Sequence, residues 1–96
     1  MIVIKNPLAF EWDEGNKDKN LIKHKVTNEE CEEVFFDPSK KISIDTLHSD
    51  EEVRYILLGK TKNNRYLFVV FTTRNDKIRI ISSRDLNKTE RTLYKK

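Results

Sequence analysis

The chain has 96 residues, of which 36% are hydrophobic and 36% charged, with a formal net charge of +3. This length predicts one small domain over residues 1–96, and the content of Phe, Tyr and aliphatic residues argues against an intrinsically disordered chain. A single Cys excludes an internal disulfide and fits a reducing cytoplasm. The longest apolar run, residues 67–71, is far shorter than the roughly 20 residues that span a bilayer, and residues 1–7 are too soon interrupted for a secretory signal.

The first predicted helix covers residues 13–25. Asp13 is a plausible N-cap, because its carboxylate can accept a hydrogen bond from the first turn. We expect Leu21, Ile22 and Lys25 on the inner side of this helix, where a buried Leu21 would hold it against the sheet.

The second predicted helix begins with a capping box. Residues 27–30 read T-N-E-E, in which the Thr side chain and the Glu side chain can each bond the other's backbone N–H. The helix extends to about Phe36, and Asp37-Pro38 ends it. Cys31, Val34 and Phe35 have the spacing of a core-facing stripe, so we interpret Cys31 as a core residue and not a nucleophile.

Four strand-like runs follow, at residues 41–46, 54–60, 66–73 and 77–83. The third is the most apolar and is expected to be central. Short connections at residues 61–64 and 75–76 favour hairpins and therefore an antiparallel meander. Residues 87–90 repeat the capping-box pattern and begin a last helix that ends near residue 95. An antiparallel sheet of about four strands, with two N-terminal helices and one C-terminal helix packed on one face, predicts an α+β sandwich.

The charge is unevenly distributed along these elements. Residues 1–53 hold 7 Lys, no Arg and 13 acidic residues, a net charge of −6, whereas residues 54–96 hold 6 Lys, 6 Arg and 3 acidic residues, a net charge of +9. Because guanidinium groups bind phosphate in a bidentate way and stack on bases, such a basic face is typical of a nucleic-acid-binding protein. Solvated arginines on strand edges are the alternative interpretation.

Seven short blocks lie in a characteristic order. They are F-E-W-D at residues 10–13, N-x-x-K-H at 20–24, F-x-D-P at 35–38, H-S at 48–49, E-x-R-Y-x-x-L-G at 52–59, I-R-I-I-S-x-R at 78–84 and E-R-x-x-Y at 90–94. With these blocks the chain resembles the BrnT family, toxins of type II toxin–antitoxin systems that are similar in fold to the RelE and ParE toxins. The resemblance covers about residues 8–95, nearly the whole chain.

The resemblance implies a ribonuclease that arrests bacterial growth. It also implies a BrnA-like antitoxin with a ribbon-helix-helix domain, through which alone the toxin would reach operator DNA and repress its own operon. A non-catalytic interaction module, such as a degenerate toxin that acts as a corepressor, is the alternative function. Both functions predict a basic surface, and they differ in whether single acid–base residues matter.

Lys25 departs from the family pattern, which usually has Gly at this position. That Gly would suit a left-handed residue at the end of the first helix. Either the turn differs in this chain, or Lys25 adopts the left-handed conformation at a cost of about 1 kcal/mol.

Metal-free RNA cleavage uses the 2′-OH as nucleophile and needs a base, an acid and cations that stabilise the phosphorane. Imidazole suits both proton transfers near neutral pH, and the resemblance to RelE, whose relatives often lack a His, keeps other groups open. The catalytic candidates are His24, His48, Lys23, Glu52, Arg79, Arg84 and Tyr94. His24 can instead complement a helix dipole, and His48 can be a turn residue paired with acids. No clustered Cys/His pattern or phosphate-binding loop indicates a metal or a cofactor.

The RNA-binding candidates are Arg54, Arg65, Arg74, Arg79 and Arg84. Alternation along the last strand places Arg79 with Ile81 and Ser83, and Arg84 with Ile78 and Ile80. We therefore expect the arginines to be split between the two faces of the sheet, so that not all of them line one site.

Overall fold

The computed structural model describes residues 9–49 and 51–96 and has the predicted α+β fold. The prediction about a secretory signal at residues 1–7 lies outside these residues. The helices are α1 (Lys19–His24), α2 (Asn28–Glu33), which a 3₁₀ turn (Val34–Phe36) continues, and α3 (Lys88–Tyr94). The strands are β1 (Lys41–Ile44), β2 (Tyr55–Lys60), β3 (Tyr66–Arg74) and β4 (Lys77–Asp85). No helix within the described residues has the length and apolar character to cross a bilayer.

The sheet is the predicted antiparallel meander, with strand order β1-β2-β3-β4. β3 lies between β2 and β4, which confirms its central position. On one face of the sheet, side chains from β2, β3 and β4 pack against α2 and its 3₁₀ turn. The buried residues of this core are Val26, Cys31, Val34, Phe35, Leu57, Leu67, Val69, Phe71, Ile78 and Ile80.

Both predicted capping boxes are present. Thr27 accepts a hydrogen bond from the backbone of Glu30, and Asn87 accepts one from the backbone of Glu90; each Glu side chain bonds the cap residue in return. These reciprocal bonds satisfy backbone donors that have no partner inside the helix. Each box therefore fixes where its short helix begins.

The first helix is shorter than predicted. Polar side chains hold it against β4. Asp13 does not cap it: its Oδ1 accepts the N–H of Gly15 in a turn. The prediction that Leu21 and Ile22 lie on the inner side is wrong, since they are 43% and 86% exposed. The buried residue is Asn20, whose Oδ1 accepts the N–H of Ser83 at 2.9 Å.

Side chains before and within α1 cover the edge of β4. Asn16 is buried and donates to the carbonyls of Glu11 and Ile80, and Lys19 donates to the carbonyl of Ile81. An edge strand otherwise exposes unpaired backbone groups. The segment is therefore held by hydrogen bonds to the strand edge, and an apolar stripe is not needed.

Lys25 keeps the left-handed turn that the family's Gly would favour. Its backbone has φ 57° and ψ 35°, and its N–H donates to the carbonyl of Leu21. Lys25 is exposed, so the inner-side prediction is wrong for this residue as well. Of the two alternatives given above, the second is therefore observed: Lys25 adopts the left-handed conformation, which is strained for a residue with a side chain.

A bulge in β4 changes which side chains share a face. The register passes from Val70 opposite Ser82 to Phe71 opposite Ile80, so that Ile81 is the extra residue. As a result Arg79 lies opposite Thr72 and Arg84 lies opposite Phe68. Phe68 and Thr72 point to the same side of β3. The prediction that alternation separates Arg79 from Arg84 is therefore wrong, because a bulge inverts the alternation between them.

The third helix lies against the sheet face opposite to the core. Tyr94 meets Tyr66 edge to face, with ring centroids 5.4 Å apart, and Glu90 forms an ion pair with Arg84. Tyr66 and Arg84 belong to the face opposite Leu67 and the other core residues of β3. The sequence predicts all three helices on one face of the sheet. In the structure α2 lies on the core face, α1 covers the edge of β4, and α3 packs on the opposite face.

Candidate active site

The predicted site residues separate into two groups at opposite ends of the sheet. At one end, β1 and β3 finish and β2 and β4 begin; the candidates here are His48, Glu52, Arg54, Arg74 and Arg79. At the other end lie Lys23, His24, Arg65, Arg84 and Tyr94. The two ends of β3 lie about 25 Å apart, so side chains at these ends cannot share one reacting phosphate. Arg79 and Arg84 lie closer together, opposite Thr72 and Phe68.

The first group includes an open groove of about 390 Å³. Its walls are formed by His48, Glu51, Glu52 and Arg54. An imidazole, a carboxylate and a guanidinium therefore meet around one solvent-filled space. The imidazole and the guanidinium can supply the base and the cation that RNA cleavage without a metal requires.

His48 is exposed, but its ring is held by a buried acid. Nδ1 lies 3.0 Å from Oδ2 and 3.2 Å from Oδ1 of Asp45, whose side chain is only 9% exposed. Ser49 fixes the loop beneath the ring: its hydroxyl donates to the Asp45 carbonyl at 2.6 Å and accepts the N–H of Arg54. This contact agrees with the alternative interpretation of His48 as a turn residue paired with acids, and its catalytic role stays a prediction.

Glu52 is paired with Arg74. The two side chains form a bidentate contact, with N–O distances of 2.7 and 3.1 Å. The hydrogen bond from Arg74 lowers the pKa of Glu52 below its usual value, and the charge of Arg54 acts in the same direction. At neutral pH Glu52 is therefore ionised, and it can accept a proton or orient a cation but cannot act as an acid.

The remaining arginines of this end differ in availability. Arg79 bonds Glu11 at 3.0 Å and Asp13 at 2.7 Å, and its side chain is 14% exposed. The half-buried Arg54 lines the groove, and within residues 9–49 and 51–96 its guanidinium makes no hydrogen bond or ion pair. Among the described residues, Arg54 is thus the cation of this groove whose guanidinium has no hydrogen-bond partner.

At the other end Arg65 is tied to the protein itself. It bonds Asp85 at 2.7 Å, Glu30 at 3.2 Å and the carbonyls of His24 and Lys25. Asp85 and Glu30 raise the pKa of Arg65 further above its ordinary value. The guanidinium thereby joins the end of α1 to α2 and β4, and its donors are occupied.

Arg84 and Tyr94 are also occupied by partners. Arg84 forms a bidentate ion pair with Glu90, and its guanidinium lies 4.0 Å above the ring of Phe68. Tyr94 is buried and donates a 2.6 Å hydrogen bond to Asp37. Burial, together with the Asp37 carboxylate, raises the pKa of Tyr94 to about 12.

Lys23 and His24 stand in the last turn of α1. Lys23 is exposed and His24 is half-buried, and the backbone carbonyl of His24 accepts from Arg65. Neither side chain makes a hydrogen bond within the described part of the chain. The charge of His24 acts on Asp85, so this end of α1 lies near the end of β4 and away from the groove at His48.

Two other side chains bear on the chemistry. Asp45 was not a candidate from the sequence, although its position three residues before His48 in a turn is a usable signal. Cys31 is buried as predicted, and burial raises the pKa of its thiol to about 11. No three His, Cys, Asp or Glu side chains cluster as metal ligands in residues 9–49 and 51–96.

Comparison with protein families identifies one match. The matching family is described as the ribonuclease toxin BrnT of type II toxin–antitoxin systems, and the match covers residues 12–90. A comparison with curated proteins finds no significant match. Because the family match covers most of the chain, the chain belongs to the BrnT family.

Proposed function

We propose that this BrnT family member is a metal-independent endoribonuclease whose active site is the groove at His48, Glu52 and Arg54. The observation that supports this site is that one groove holds an exposed, acid-oriented imidazole and a guanidinium that makes no hydrogen bond within the described residues. The family's description as a ribonuclease toxin supports the reaction class. The whole chain, residues 1–96, is proposed to act as one toxin domain in the cytoplasm.

The proposed reaction begins with attack of a ribose 2′-OH on the adjacent phosphate. His48 takes the proton of this hydroxyl as general base. Arg54 binds the phosphate and stabilises the charge that develops on the phosphorane, and Arg74, held by Glu52, adds a second cation beside it. The 5′-oxygen leaves and takes a proton from solvent in the open groove, so that the products are a 2′,3′-cyclic phosphate and a free 5′-hydroxyl.

Substitution of the two histidines tests the location of this site. His48→Ala is expected to lower the cleavage rate by roughly 10²-fold or more. His24→Ala is the matched control at the opposite end of the sheet and should change the rate less than twofold. Loss of activity in His24→Ala with full activity in His48→Ala would move the site to the Lys23–His24 end.

A protein antitoxin is the proposed partner. The antitoxin is BrnA-like, with a ribbon-helix-helix dimer that joins two toxin copies and carries the complex to operator DNA. Exposed apolar side chains, which a partner would cover, support a protein contact; they include Ile22, Phe36, Ile44, Leu47, Val53 and Leu93. Co-expression with the adjacent reading frame, followed by mass measurement in solution, tests the partner; a chain that stays monomeric would contradict it.

A non-catalytic corepressor is the second candidate function. It is favoured by the observation that four predicted RNA-binding arginines already form ion pairs within the chain; they are Arg65, Arg74, Arg79 and Arg84. Regulated expression of the chain alone distinguishes the two functions. A ribonuclease should stop growth and degrade RNA, whereas His48→Ala should not. Equal effects of parent and variant on growth would favour the corepressor.

A further inference from the structure

The carboxylate of Asp45 is buried against one side chain. It is 9% exposed, and both of its oxygens face Nδ1 of His48. Its other hydrogen bonds in the described residues are made by its backbone: its N–H donates to the carbonyl of Arg54, and its carbonyl accepts from the Ser49 hydroxyl and the His48 N–H. The carboxylate therefore has His48 as its partner, while its backbone is anchored to the start of β2.

This geometry selects a tautomer for the imidazole. A carboxylate that accepts from Nδ1 requires a proton on that nitrogen, and the neutral ring then carries its lone pair on Nε2. Nε2 makes no hydrogen bond in the described part of the chain, and the side chain of His48 is 66% exposed. The basic nitrogen is thus the one that remains available to a ligand in the groove.

We infer that Asp45 is a positioning residue that holds His48 in the Nδ1–H tautomer, with Nε2 as the basic atom of the site. The inference rests on the proposed function, in which His48 removes the proton of the 2′-OH. Asp45 itself touches no substrate. It acts by keeping the ring in the protonation state and orientation that a general base needs, and by stabilising the imidazolium once the proton has been taken.

The loop geometry gives this arrangement a direct link to the phosphate-binding cation. The Asp45 N–H donates to the Arg54 carbonyl at 2.8 Å, and the Ser49 hydroxyl accepts from the Arg54 N–H at 2.9 Å. The backbone that carries His48 is therefore hydrogen-bonded directly to the backbone of Arg54. A surface ion pair without a catalytic role would need no such clamp, and its removal would have little effect on either stability or rate.

Nitrogen-15 NMR of the histidine rings tests the tautomer without any measurement of cleavage. The chain has two histidines, so His24→Gln assigns the signals. At a pH where the ring is neutral, His48 of the parent should carry its proton on Nδ1, and Asp45→Asn should shift the population towards Nε2–H. A parent ring protonated on Nε2, or the same tautomer in parent and variant, would overturn the inference.

Kinetics provides the second arm of the experiment. Asp45→Asn should lower kcat for RNA cleavage by about 10²-fold with little change in KM, and should add nothing to the loss in His48→Gln. Thermal unfolding is followed in parallel, and the variant should unfold within a few degrees of the parent. An Asp45→Asn enzyme with the parent's kcat would contradict the inference. Full activity in His48→Gln would instead contradict the proposed function, and the NMR result would still decide what Asp45 does to the ring.

Discussion

The hydroxyl of Tyr94 donates a 2.6 Å hydrogen bond to Oδ2 of Asp37, and this contact joins α3 to the segment that follows α2. Asp37 also accepts the backbone N–H groups of Ser39 and Lys60. One buried carboxylate thus connects three parts of the chain. Two of the sequence blocks that carry the family resemblance, F-x-D-P and E-R-x-x-Y, meet at this point.

Tyr94→Phe should therefore reduce stability and leave cleavage intact. Loss of the hydroxyl removes one donor to a charged, buried acceptor, which costs about 1–3 kcal/mol of unfolding free energy. Urea unfolding measures the change, and Tyr66→Phe is the control for loss of a phenolic hydroxyl without a hydrogen bond in the described residues. A 10²-fold slower cleavage by a normally folded Tyr94→Phe protein would restore Tyr94 as a proton donor.

Stability should fall in acid. Burial would raise the pKa of Asp37, but hydrogen bonds from Tyr94, Ser39 and Lys60 lower it below its usual value. Ion pairs with Arg65 and Arg84 likewise lower the pKa values of Asp85 and Glu90. A carboxyl whose folded pKa is depressed contributes stability that is present above its unfolded pKa and lost as the pH falls through the folded value.

The expected result is a progressive loss of unfolding free energy as the pH falls below about 4. Urea unfolding at several pH values measures it. Asp37→Asn should be less stable at neutral pH and less sensitive to acid, whereas the exposed Glu29→Gln is the control. Equal acid sensitivity of Asp37→Asn and the parent would show that this carboxylate is not a source of the effect.

Features with local signals could be predicted from the sequence. The capping boxes at Thr27 and Asn87 depend on residues three apart, and the meander follows from short hairpin connections. The length of α1 could not be predicted, because this segment is held by hydrogen bonds with a strand more than 60 residues away: Asn16 donates to Ile80, and Asn20 accepts from Ser83. Periodicity of apolar residues does not detect such polar contacts.

The candidate site could likewise be predicted only in part, because contacts between residues distant in sequence leave no local pattern. His48 is recognisable by its chemistry, but which candidates share a groove depends on the strand register. The bulge at Ile81 is one example: this single extra residue changes the face of the sheet to which Arg84 points relative to Arg79. The role of Asp45 likewise depends on how a four-residue turn folds back on itself.

Lys25→Gly should stabilise the protein. Lys25 has φ 57°, a conformation that costs a residue with a side chain about 1 kcal/mol and costs Gly nothing sterically. Glycine's greater freedom in the unfolded chain offsets part of this gain, so the expected increase in unfolding free energy is about 0.5 kcal/mol. Lys25→Ala, which removes the charge and keeps the strain, is the control; equal stability of both variants would contradict the strain argument.

Substitutions of Arg54 and Arg65 should affect different properties: the first RNA binding, the second the stability of the fold. Arg54 lines the groove without a side-chain hydrogen bond in the described residues, so Arg54→Ala should leave unfolding unchanged while it weakens RNA binding. Loss of one phosphate contact on single-stranded RNA should also reduce the salt dependence of binding by a slope of about 0.7. Arg65→Ala leaves Glu30 and Asp85 without their cation and should cost about 2 kcal/mol of unfolding free energy, with the slope unchanged. RNA affinity measured at several salt concentrations, together with urea unfolding, distinguishes the two roles. A parental slope in Arg54→Ala and a reduced slope in Arg65→Ala would place the RNA at the opposite end of the sheet, because the phosphate contact would then belong to the arginine near His24.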